Sequence, residues 1–342
     1  MTERILTSPV DPITAPIRSN SVDIVKGLAI FLVVYEHTGQ GMYARGWWTG
    51  ASRLFSDLYV YSFHMPLFFF VAGLFIVGSI QRRGPLDFTL EKMKTILYPY
   101  VGWIVLLMAI EPWIHRFQAS ASPVHWSNLV ASLISGSGGW FLAVLFCTQM
   151  LALLTRRMPA WLRFALAAVA AALMPTVGFE TIYKTVWFFS FLATGMLVGR
   201  SIFKLGNLSR WVAALGAVAI FALQAAAILH YRYAASFGSS SAWLAVLLGI
   251  TGTAGLFLIA RTIENTRFGD AWAWIGRASL GIFLMAQFAQ GATREVLLRL
   301  VHTHEFWLQL ILPTIASVLL PAVVWHQQRR WRIGWLFRWP FS

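Results

Sequence analysis

Ser21-Val22-Asp23-Ile24-Val25-Lys26-Gly27-Leu28-Ala29-Ile30-Phe31-Leu32-Val33-Val34-Tyr35-Glu36-His37 is the stretch whose reading decides the fold. It belongs to an apolar run over about 22–42, long enough to cross the roughly 20-residue span of a bilayer. Four ionisable side chains sit in it: Asp23, Lys26, Glu36 and His37. A charge in hydrocarbon is expensive, so each needs a reason. Asp23 and Lys26 lie three apart, share a helix face and can pair near an interface. Lys26 can also snorkel to the head groups. Glu36 and His37 come near the far end, and adjacent positions point about 100° apart. One of the two therefore faces the bundle interior.

The rest of the chain extends this pattern. Of 342 residues, 58% are apolar and 12% charged, against about 45–50% and about 25% in soluble proteins. So little charge cannot cover a water-facing surface of this size, and the chain is expected to be an all-α polytopic membrane protein. Ten spans are predicted, over about 22–42, 57–80, 96–115, 138–155, 161–176, 183–200, 211–230, 241–260, 277–293 and 307–326. The net charge of +14 comes from short basic clusters between apolar runs. Such clusters orient membrane helices and do not suggest nucleic acid. With the N-terminus inside, 20 Lys and Arg fall in inner segments and 7 in outer ones, which places both termini in the cytoplasm. The expected organisation is a tail over 1–20, a ten-helix domain over 21–328 and a basic tail over 329–342. Residues 1–20 are polar, with Pro9, Pro12 and Pro16, unlike a cleavable signal. The single Cys147 excludes an intramolecular disulfide framework.

Further polar groups interrupt the apolar runs. Phe63-His64-Met65-Pro66-Leu67-Phe68-Phe69 places a histidine beside a proline that lacks a backbone donor, so a broken helix is expected there. Glu111 and His115, like Glu180 and Lys184, are i,i+4 partners at outer helix ends. Trp140 opens the fourth span.

These pieces together resemble the acyltransferase-3 family of integral-membrane O-acyltransferases, in its sugar O-acetylase-like branch. The family opens on an Asp, a basic residue followed by Gly, a Val-rich stretch and a His eleven residues after the basic one, as Lys26 and His37 are here. Phe63-His64-Met65-Pro66-Leu67-Phe68-Phe69 resembles its second-helix signature, Trp140-Phe141-Leu142 its Trp-Phe-Leu element, and Ile275-Gly276-Arg277-Ala278-Ser279-Leu280 its late Ile-Gly-x-x-Ser-Leu element. Lys92 and Lys94 stand where many members carry an Arg-x-x-Arg pair, and Ala286 stands where many have a His.

The resemblance implies transfer of an acyl group, by default acetyl, from cytoplasmic acetyl-CoA or another acyl-CoA to a hydroxyl of a sugar, glycolipid or surface polysaccharide, in the bacterial inner membrane. It implies that His37 is catalytic and Lys26 essential. A neutral imidazole, with an ordinary pKa of about 6.5, suits general-base work near neutral pH. His64 is the second choice, and Glu36 an adjunct. Lys26, Arg82, Arg83, Lys92 and Lys94 are the expected contacts of the anionic donor. Asp23, Trp140 and Glu111 are candidate contacts of the acceptor. No metal is expected. The competing class is a transporter or exporter of a small anion or lipid-linked sugar, which the same buried charges would suit.

Overall fold

The computed structural model describes residues 20–114, 129–135, 139–173, 180–231 and 242–340. All regular structure in them is helical. The first helix, α1 (Asn20–Tyr43), has 24 residues and at 1.5 Å per residue runs about 36 Å, enough to cross a hydrocarbon core of about 30 Å. It is buried on several sides, with Ile24, Val25, Ala29, Ile30, Val34 and Met42 at 1% exposure or less. A helix buried on several sides belongs inside a bundle, and its neighbours agree: it packs against α3 (His64–Lys92), α10 (Ala242–Ile263), α11 (Arg267–Arg277), α12 (Ser279–Arg299) and α13 (Phe306–Gln327).

Among the described residues, five helical stretches are long and apolar enough to cross a membrane: Gly50–Ile110, Glu180–Val198, Arg210–His230, Ala242–Ile263 and Phe306–Gln327. Trp140–Leu154 and Ala160–Ala171 are apolar but shorter. The first stretch contains α2 (Gly50–Tyr61), α3, a π-turn over Met93–Leu97 and α4 (Tyr98–Ile114). After the short α5 (Leu129–Ser135) come α6 (Trp140–Leu154), α7 (Ala160–Leu173), α8 (Glu180–Val198) and α9 (Arg210–Tyr231). The architecture is that of a multi-pass membrane protein. Outer helices turn large apolar side chains away from the protein, among them Trp211, Leu215 and Leu223 on α9 and Ile311, Ile315 and Leu320 on α13. In water such faces would be a liability, whereas lipid covers them at no cost.

Two expectations need correction. The run over 57–80 is not one helix: α2 ends at Tyr61, the chain turns at Ser62–Phe63 and α3 starts at His64. Pro66 lies in the first turn of α3, where its missing N–H is not needed. The break therefore precedes the proline and is not caused by it. The run over 277–293 is also displaced. Arg277 ends α11, Ala278 (φ −93°, ψ 4°) leaves helical geometry, and Ser279 begins α12. Further along α3, Gly84 adopts φ 75° and ψ 171°, a conformation that favours glycine. Pro85 follows it and starts the last part of the helix. The final segment is docked: Trp103 Nε1 donates to Leu336 O (2.9 Å), Trp339 N to Lys94 O (3.3 Å), and Arg338 pairs with Glu91 (3.5 Å).

Candidate active site

The lower end of α1 is built around two glycines. A β-carbon on Gly27 would lie 2.1 Å from Trp272 O, and one on Gly276 1.8 Å from Asp23 O. Only hydrogen fits at either position, so α11 crosses α1 at backbone contact. This explains why glycine follows Lys26 and Ile275 in the two motifs. At the crossing, Asp23 pairs with Lys26 at 3.6 Å and Arg277 at 3.9 Å. Asp23 thus joins α1 to the end of α11. Lys26 also lines a cavity of about 240 Å³ with Ile30, Val33, Met65, Phe68, Phe141 and Ser279 among its walls. Thr95 and Ile96, from the π-turn, close one side of it. The motifs that sequence reading singled out separately meet here, each lending a wall residue.

Lys26 and His37 are eleven residues apart, about 16 Å along the helix axis. Val33, the uppermost α1 residue of the cavity, is one turn below His37. His37 is partly buried and lines a second chamber of about 360 Å³ with Gln40, Gly41, Arg45, Gln287, Gln290 and Arg294. Its Nδ1 lies 3.2 Å from Gln40 Oε1. Gln40 Nε2 in turn donates to the Tyr61 hydroxyl at 2.9 Å. With the amide placed this way, Oε1 faces the imidazole. An oxygen can only accept, so Nδ1 carries the proton and Nε2 presents a lone pair. Gln290 Nε2 donates to His37 O (3.1 Å), Arg294 Nη2 to Thr38 O (3.2 Å), and Thr314 Oγ1 to Thr38 Oγ1 (3.1 Å). α12 and α13 thereby grip the turn that carries the histidine.

Glu36 faces elsewhere. It is 1% exposed, and both its oxygens accept from Arg53 of α2, Oε2 at 3.2 Å and Oε1 more closely. Arg53 is 6% exposed, reaches Asp57 at 3.8 Å and stacks over Trp48 at 5.4 Å. Asp57 borders a third chamber of about 410 Å³, walled by Gln40, Tyr61, Trp140, Glu180, Lys184, Trp187 and Phe188. Trp140 stacks on Phe188 at 5.4 Å, and Lys184, bonded to Glu180, lies over the Trp140 ring at 4.4 Å. Gln40 is common to the second and third chambers.

The sequence-predicted residues thus fall in two groups. His37 and Lys26 line chambers at opposite ends of α1, and Trp140 lines the aromatic one. His64 is 2% exposed and its Nδ1 donates to Val60 O at 2.5 Å, closing the turn before α3. Arg82 and Arg83 are exposed on the far part of α3, with Arg83 donating to Ser79 Oγ at 3.0 Å. Lys92 lies over the Phe88 ring at 5.2 Å, and Lys94 is in the π-turn beside the Lys26 cavity. Glu111 is in α4, but its side chain, like all of His115, lies outside the described residues. Sequence reading missed Gln40, Tyr61, Arg53, Gln290 and Arg294 as a group around His37. The one available signal was that Arg53 and Arg294 add charge to the poorer, outer side of the topology.

The sequence pattern of an acyltransferase domain, that of the acyltransferase-3 family, matches residues 19–326, a range that takes in all of α1 and nearly all of α13. The chain belongs to this family. Among curated proteins, the domain is similar to nodulation protein NolL of Sinorhizobium fredii (strain NBRC 101917 / NGR234), 26% identical over 201 residues, 56% of this chain and 51% of that protein. It is also similar to nodulation protein NolL of Mesorhizobium japonicum (strain LMG 29417 / CECT 9101 / MAFF 303099), 31% identical over 97 residues, 28% of this chain and 25% of that protein. The alignments thus span about half and a quarter of these relatives. No solved structure matches the chain.

Proposed function

We propose that the protein is an inner-membrane O-acyltransferase that moves an acyl group, by default acetyl, from cytoplasmic acyl-CoA to a hydroxyl of a sugar, glycolipid or surface polysaccharide. The observation that carries this reading is the line of chambers along α1. An apolar cavity lined by Lys26 reaches Val33, one turn short of His37, and a separate polar chamber has His37 in its wall. Ten helices cross the bilayer in this reading, α1, α3, α4, α6 to α10, α12 and α13, with both termini in the cytoplasm. The ten-helix domain covers 21–328, flanked by the N-terminal tail and by the docked basic segment.

The donor enters from the Lys26 end. Its phosphates meet Lys26, Lys92 and Lys94, with Arg82 and Arg83 on the approach, and its thioester arm lies in the apolar cavity. The acceptor hydroxyl enters the polar chamber. His37 Nε2 takes the hydroxyl proton as the oxygen attacks the thioester carbonyl. Collapse of the tetrahedral species breaks the C–S bond, and the imidazolium returns the proton to the departing sulfur. The products are an ester and free CoA. Gln40 holds the ring in the tautomer that leaves Nε2 open, a positioning role rather than a chemical one. Glu36, with both oxygens committed to Arg53, anchors α2. Asp23 sets the α1–α11 crossing and so places Lys26. Trp140 provides an aromatic wall against which a pyranose face can stack, and Glu111 stays a candidate acceptor contact at the end of α4.

Membranes from an expressing strain, supplied with labelled acetyl-CoA and a glycan fraction, test the proposal. The expected result is an alkali-labile ester on the glycan that disappears in His37→Ala. Movement of unmodified glycan or anion without a covalent product would favour transport and contradict it.

A further inference from the structure

Arg294 on α12 is 4% exposed and forms no ion pair among the described residues. Its sequence neighbour Glu295, the one acid on the same chamber wall, is engaged by Arg299 Nε at 2.7 Å. Arg294 Nη2 donates to Thr38 O, and its buried Nε–H has no partner among the described residues. A guanidinium carries five donors and cannot shed its charge. A buried charge of this kind is costly unless an anion faces it, and inside a membrane protein it marks a functional site. The guanidinium packs against Gly41, where a β-carbon would lie 2.3 Å from Arg294 Nη1. Arg45 borders the same chamber, its Nη1 donating to Gly41 O at 3.2 Å. The chamber wall therefore carries two arginines against one acid that is already paired, and His37 is part of that wall.

We infer that this chamber is an anion site, in which Arg294, assisted by Arg45 at the rim, holds a carboxylate or phosphate of the acceptor while a hydroxyl of the same molecule meets His37. The acceptor is thus an acidic sugar or a phosphorylated glycosyl compound rather than a neutral one. A planar fork matches either group through two parallel hydrogen bonds. The role of the hydroxyl rests on the acyl-transfer proposal, whereas the anion site rests on Arg294 and its chamber.

Full-length protein in nanodiscs is titrated with glucose, glucuronate and glucose 1-phosphate, and binding is followed by thermal stabilisation. At least one anion is expected to bind about 10-fold or more tightly than glucose, and the tighter of the two identifies the group as carboxylate or phosphate. Arg294→Gln should remove the preference while acetyl-CoA still stabilises the protein. Equal binding of all three probes, or a preference that survives Arg294→Gln, overturns the inference. Should Arg294→Gln fail to fold, Arg294→Lys, which keeps the charge and loses the fork, is expected to weaken anion binding about 10-fold without affecting glucose. Unchanged anion affinity in that variant overturns it equally. A retained anion preference with no ester formed would sink the acyl-transfer proposal and leave the site standing.

Discussion

His37 owes its proposed basicity to a neighbour that carries no charge. Gln40 is one turn further along α1, faces Nδ1 with its amide oxygen and donates to the Tyr61 hydroxyl. Outer partners of this kind are worth roughly 10–100-fold at metal-bound histidines. Gln40→Ala is accordingly expected to lower kcat about 10–100-fold with the KM for acyl-CoA unchanged, as steady-state kinetics would show; an equal loss in kcat/KM caused entirely by KM would refute the positioning role. Glu36 and Arg53 make the opposite case. Removing one partner of a buried ion pair costs about 3–5 kcal/mol, while replacing both can be nearly neutral. Arg53→Met should therefore lower the melting temperature sharply, and Glu36→Gln with Arg53→Met should recover most of the loss. If Arg53→Met instead kept its stability and lost activity, Glu36 would belong to the chemistry. Glu36 and His37 were legible in the sequence because a charge in an apolar run demands explanation. Gln40 was not, since a neutral amide gives no such signal. Arg53 and Arg294 were not, because near the end of an apolar run an arginine passes for a loop charge.

At the level of elements, the motifs prove to be packing devices as well as carriers of chemistry. Gly27 and Gly276 let α11 cross α1 at backbone contact, which sets Lys26 against its cavity. Gly276→Val would push a side chain onto Asp23 O. Overpacking of this kind costs about 1–3 kcal/mol. The expected outcome is a lower melting temperature together with a raised KM for acyl-CoA and an unaltered KM for acceptor. A rise in the acceptor KM alone would show that the crossing does not serve the donor. Helix positions were largely readable from apolar run length. The break at Ser62–Phe63 was not, because neither glycine nor proline marks it; Pro66 pointed to the region but lies three residues past the turn. The short amphipathic α2 and α11 escaped notice for a related reason, being too brief to span a bilayer and adjoining the longer apolar runs.

The whole molecule places an apolar cavity and a polar chamber at different heights along one central helix, the first reaching Val33 and the second walled by His37 one turn on. In the proposed reaction, a soluble thioester on one side of a membrane would react there with a hydroxyl on the other without either crossing. The proposal also fits the charge pattern expected from the sequence, with Lys92 and Lys94 near the Lys26 cavity and the buried Arg294 in the chamber of His37. The central claim is transfer between opposite faces through His37. The most direct test is a proteoliposome with glycan acceptor sealed inside and labelled acetyl-CoA outside, where molecules inserted with the Lys26 end outward can work. Labelled ester on the enclosed glycan, absent with His37→Ala, is the predicted result. Ester formed only when both substrates share one compartment, or undiminished in His37→Ala, would contradict the account.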